Sequence, residues 1–172
     1  MIRIASFVGR SLTWVQPSTY KHWYELRSGE QAIATLRLKN IFSSTATSES
    51  EEGSCTFERH GVLNKFVTVR VEDKDTTVAT YRENKWKRGG TLELPEGKKL
   101  LFTMNFWKSL LEVKTETGET LIHFTIRGVF RLRADVEIRH RAGSLAELPW
   151  LVMLGWYVVV MAHRDRSRAA AG

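Results

Sequence analysis

From Leu148 to Ala162 the chain reads LPWLVMLGWYVVVMA, fifteen residues without a charged or strongly polar side chain. No other feature constrains the fold as much, because a helix apolar on every side must be enclosed on every side. At about 1.5 Å per residue the run spans about 22 Å, against a hydrocarbon thickness of ~30 Å and the ~20 residues a membrane helix uses. It is too short for a span and suits a buried helix. Trp150, Trp156 and the following HRDRSR are also features of a membrane-interface segment, so a C-terminal tail anchor stands as the alternative.

The preceding residues supply an enclosure. Up to about His140 the chain alternates short stretches of period-two polarity with Gly, Asn, Asp or Ser. Tyr20 to Arg27 and Gln31 to Leu38 flank a turn at Ser28 and Gly29, and Ser109 to Thr115 and Glu119 to Ile126 flank another. In VFRLRADVEI, Phe130, Leu132, Ala134, Val136 and Ile138 share one face, and Val129, Arg131, Arg133, Asp135 and Glu137 the other. That pattern places one face on a core and one in water. Between eleven and thirteen such segments are counted, spaced as in all-β folds, with no amphipathic helix between them. The least regular piece, Ser43 to Ser54, reads as a loop or a weak strand.

The two features fit each other. Eight strands close on a space that side chains alone fill, and more strands open a wider lumen. A helix with its side chains is about 10–12 Å across. The expected fold is therefore mainly β: a closed antiparallel barrel of about 12 strands enclosing a hydrophobic C-terminal α-helix at about 145–163. One domain covers 1–163, and 164–172 is expected to be a basic disordered tail. Ser144 and Glu147 fit a capping box for the helix start, with a bend or restart at Pro149.

In order and pattern the chain resembles the tubby C-terminal-like superfamily, which includes phospholipid scramblases and LURP-one-related proteins. The likeness runs from about Tyr20 to Ala162. It rests on the hairpin WYELRSGEQAIATLRL, on GKKLLFTMNFWKSLLEVKTETGETLIHF with its Gly turn, and on a final strand leading into LPWLVMLGWYVVVMA. The resemblance implies a twelve-stranded barrel around a buried C-terminal helix and binding of membrane lipid headgroups, as tubby domains bind phosphoinositides. The chain lacks the proline-rich extension and cysteine cluster of scramblases, and no tubby lipid-binding residue matches a position here.

The net charge of +7 and pI of 9.8 favour an anionic partner: a lipid surface, a nucleic acid or an acidic protein. No nucleic-acid recognition motif is present. The single cysteine, Cys55, excludes an intramolecular disulfide, and the N-terminus lacks a signal-peptide core, so a cytoplasmic protein is expected.

Catalytic motifs are absent: no G-x-S-x-G, no H-E-x-x-H, no P-loop and no G-x-G-x-x-G. His22, His60, His123, His140 and His163 lack metal-ligand spacing, and Asp73 and Asp75 around Lys74 read as a turn. No catalytic residue, metal or cofactor is assigned; an enzyme with a dispersed site is the remaining alternative. One stretch points to binding: ENKWKRGG sets Lys85, Lys87 and Arg88 around Trp86 in a loop ending in Gly89 and Gly90, cations for phosphates beside an indole for an interface. A second cluster, Arg131, Arg133, Arg139 and Arg141, lies on and after the last clear strand; Arg131 and Arg133 share a face with Asp135 and Glu137, where cross-strand pairing is expected to neutralise the charge. The sequence thus reads as a non-enzymatic binding or regulatory module at the membrane periphery, with anionic lipids or a protein as partner.

Overall fold

The computed structural model describes residues 2–18, 22–72, 74, 76–84, 88–105, 107–128 and 131–171. Twelve strands run in chain order. They are β1 (Ser11–Val15), β2 (Trp23–Ser28), β3 (Gln31–Leu38), β4 (Thr45–Ser50), β5 (Gly53–His60) and β6 (Phe66–Val71). The second half holds β7 (Thr77–Glu83), β8 (Gly89–Glu93), β9 (Lys99–Met104), β10 (Leu110–Thr115), β11 (Thr120–Arg127) and β12 (Arg133–Ile138). Each pairs antiparallel with its neighbour in sequence, and β1 pairs with β12, so the sheet closes into a barrel with no free edge.

Alternation sorts the side chains. In β12, Ala134, Val136 and Ile138 face the lumen while Arg133 and Glu137 face water. The inward set is mixed in size, with Ala34, Ala46, Ser48 and Ala79 beside Phe57, Tyr81 and Phe102. Small residues leave the width that a central helix needs.

That helix, α1 (Leu148–Ala171), threads the barrel. From Trp150 to Met161 every residue is buried, so the apolar run is core. Among the described residues no helix is long and apolar enough to cross a membrane. Inside the lumen Trp156 stacks on Trp14 at 5.6 Å and meets the edge of Tyr24 at 5.4 Å, and Tyr157 lies 5.5 Å from Phe57.

Three expectations about the C-terminal segment are corrected. The helix starts at Leu148 rather than 145: a 3₁₀ turn at His140–Ser144 comes first, and the Glu147 carbonyl accepts from the Leu151 N–H. Ser144 is therefore not the cap, and Pro149 falls in the first turn, where its missing N–H costs nothing. Residues 164–171 continue the helix instead of forming a disordered tail, because side chains of the barrel mouth hold the first turn beyond it. Ser43 to Ser54 contains all of β4 and the start of β5, and Gly89 and Gly90 open β8 instead of ending a loop.

Candidate functional site

Because every strand is antiparallel to the next, successive connections alternate between the two ends of the barrel. The helix enters at one end, which two 3₁₀ turns (Ile4–Phe7 and His140–Ser144) stopper with Ile4, Phe7 and Ala142. It leaves at the other, the rim, where the strands β1 and β2, β3 and β4, β5 and β6, β7 and β8, β9 and β10, and β11 and β12 are joined; its described residues are 16–18, 22, 39–44, 61–65, 84, 88, 105, 107–109, 128, 131 and 132.

Composition separates the ends. By sequence the six rim connections contain no Asp or Glu and hold Lys21, Lys39, Lys65, Lys85, Lys87, Arg88, Lys108 and Arg131. The five turns at the entry end hold nine acidic residues and two lysines. Among the described residues, the large hydrophobic side chains that stand exposed also belong to the rim: Ile41 and Phe42, Val62 and Leu63, and Trp107. Phe42 is 81% and Leu63 78% exposed, and single exposed apolar residues are ordinary; what sets these apart is that they share one end of the barrel.

The helix exit is laced to these loops. Arg59, its side chain only 8% exposed, donates from both terminal nitrogens to the Asp165 carboxylate at 2.8 Å, and lies 3.3 Å from Glu83. Lys108 Nζ donates to the Ala162 carbonyl, His163 Nε2–H to the Lys108 carbonyl, and Arg164 to the Ser43 carbonyl at 2.7 Å. Arg166 reaches the Trp107 carbonyl. Tyr157 donates its hydroxyl to the Ser44 carbonyl.

Protonation follows this packing. Burial works against the charge of Asp165, yet the hydrogen bonds and charge of Arg59, with Lys65 and Lys108, hold its carboxyl below the usual range. Hydrogen bonding to Asp165 reinforces the Arg59 cation. Burial lowers Lys108, His163 and Arg164, disfavouring their charged forms. Glu83 and Asp165 are both engaged by Arg59, and Lys65 also reaches Asp165 at 3.8 Å.

Of the loop residues singled out by sequence, Arg88 is exposed and lines a groove with Lys108 and Asp165. Lys85, Trp86 and Lys87 lie outside the described residues. In the second basic cluster Arg139 pairs with Glu137 and Arg141 with Glu119, while Asp135 is taken by Arg127 at 2.6 Å. Sequence reading missed Phe42, Leu63, Trp107, Arg164 and Arg168. The signal was present as every second connection, acid-free and carrying an aromatic or large aliphatic, but strand parity must be known before it can be read.

Elsewhere, burial pushes the Cys55 thiol up to about 11, against a smaller lowering by Ser48, so it stays protonated near neutrality. His123 lies on β11 with Nδ1 3.8 Å from Glu112. Among the described residues no three His, Cys, Asp or Glu side chains converge as metal ligands. No protein-family model, curated protein or solved structure matches the chain.

Proposed function

We propose that this barrel is a non-enzymatic module of tubby/scramblase type that docks its rim on anionic membrane surfaces. One observation carries the reading: exposed apolar side chains and acid-free basic connections occupy the same end of the barrel. A single basic patch fits many anionic partners. Aromatic and aliphatic tips among the cations fit an interface, where the tips enter the headgroup layer and the ammonium and guanidinium groups meet lipid phosphates. The hairpin turns of the opposite end carry mostly carboxylates, which favours docking by the rim even though Arg3, Arg10, Arg139 and Arg141 lie at that end too.

Magnitudes require both effects. A Lys or Arg near an anionic leaflet contributes about 1 kcal/mol, and a micromolar contact needs about 8 kcal/mol. Exposed rim cations supply roughly half of that, and inserted Phe42, Leu63 and Trp107 supply the remainder at about 1–2 kcal/mol each.

Co-sedimentation with vesicles tests the reading. The protein should pellet with phosphatidylcholine vesicles containing phosphatidylserine and stay in solution with phosphatidylcholine alone. Phe42→Ala with Leu63→Ala, which alters only exposed side chains, should weaken binding about tenfold or more. Absence of binding to anionic vesicles at low salt would leave the rim to a protein partner and reject the membrane reading.

A further inference from the structure

Beside the exit of α1, between its residues 160–168 and Gln16, Gly128 and Leu132, lies a cleft of about 310 Å³, within the size range of small-ligand sites. Its polar lining consists of Gln16, Tyr24, His163, Arg164, Ser167 and Arg168, and no carboxylate is among its described lining residues. Ile41 and Leu132 add apolar surface.

Arg164 is the unusual member. It is half-buried, and its only side-chain hydrogen bond among the described residues runs from one terminal nitrogen to the Ser43 carbonyl. None of the ion pairs among the described residues includes Arg164 or Arg168, whereas Arg59, one element away, has two carboxylates. A guanidinium carries five donor hydrogens, so most of those on Arg164 remain available. A cation held partly out of water with no counter-charge is costly unless an anion completes it.

From this geometry we infer that the cleft binds a phosphate monoester, with Arg164 and Arg168 as its two guanidinium partners. A monoester carries a charge of about −1.5 to −2 near neutrality and three acceptor oxygens, matching two cations and flanking donors. A phosphodiester or carboxylate offers one charge and fewer acceptors. Ile41, exposed on the rim, gives the attached group an apolar exit toward the surface on which the rim sits. The inference deepens the membrane reading by naming the headgroup chemistry at that end, but the same chemistry also fits a soluble monoester.

Two arms separate the sources. In the first, binding is compared on phosphatidylcholine vesicles made equally anionic with phosphatidic acid, a monoester, or with phosphatidylserine. Wild type should prefer the phosphatidic acid vesicles by about fivefold or more, as expected for charge-assisted hydrogen bonds. Arg168→Gln, at an exposed position, and Arg164→Gln with Arg168→Gln, checked for cooperative melting, should bring the ratio toward one. Equal binding by wild type, or a preference that survives both variants, overturns the cleft and leaves rim docking standing. The second arm titrates glycerol 3-phosphate against the protein in solution. If no vesicle is bound, the membrane reading fails; saturable glycerol 3-phosphate binding lost in the variants then upholds the cleft with a soluble ligand, and no binding overturns it.

Discussion

At Gly155, midway along the buried stretch of α1, a methyl group would sit 2.5 Å from the Phe124 ring. Helix propensity alone favours Ala over Gly by about 1 kcal/mol. Phe124 is fully buried and has nowhere to move, so overpacking of about 1–3 kcal/mol outweighs that gain. Gly155→Ala should therefore lower the melting temperature. Adding Phe124→Leu, which shortens the ring side of the contact, should recover part of the loss as a favourable coupling in a double-mutant cycle. A Gly155→Ala protein that melts at or above wild type would show that the lumen is looser than these distances.

The Arg59–Asp165 pair makes a second prediction about single residues. A carboxyl held below its unfolded value of about 3.9 stabilises the fold at pH above that value and loses the contribution as pH falls through the folded value. Asp165→Asn leaves Arg59 with Glu83 alone and should cost about 1–3 kcal/mol near neutrality. Thermal melts of both proteins should converge as pH is lowered from about 7 to about 2, because protonation removes from wild type what the substitution has already removed. A gap that stays constant across that range would mean the pair adds nothing through charge.

Strands and helix differ in how openly the sequence announces them. β12 is legible because its outer residues are charged and its inner ones aliphatic. β4, TATSES, is hidden: its lumen-facing residues are Ala46 and Ser48, small because the helix fills that space, so the apolar signal of a strand is missing. The existence and enclosure of α1 are legible from its unbroken apolarity, whereas its two ends are not: Ser144 and Glu147 imitate a cap that the 3₁₀ turn displaces, and the helix runs on to Ala171. Its continuation past Ala162 depends on Arg59, Ser43 and Lys108, partners more than fifty residues away. The element itself is testable. A chain ending at Glu147 loses the filling of a twelve-stranded lumen and should show no cooperative melting. Adding a peptide of residues 148–171 in trans should restore it. A truncated chain that still melts cooperatively with intact β signal would remove the helix from the core.

At the scale of the whole molecule the arrangement is a dipole of composition, with carboxylates in the hairpin turns at the helix entry and cations with apolar tips at its exit. No single loop reveals it. Lys39, Lys65, Lys108 and Arg131 are scattered over nearly a hundred residues, and only ENKWKRGG clusters enough charge to be noticed locally. Closure with consecutive antiparallel pairing gathers them onto one rim. The two components of that rim respond differently to salt. Screening shortens the reach of exposed charges from about 14 Å at 50 mM to about 4 Å at 500 mM, whereas burial of apolar tips is little affected. Binding to anionic vesicles should therefore fall steeply over that range. Charge reversal at Lys85, Lys87 and Arg88 should flatten the fall, having removed part of the screened attraction. Trp107→Ala should instead lower binding by a similar factor at both salt concentrations, because it removes an insertion that salt does not touch. Wild-type binding independent of salt would assign the contact to the apolar tips alone and strip the basic connections of their role.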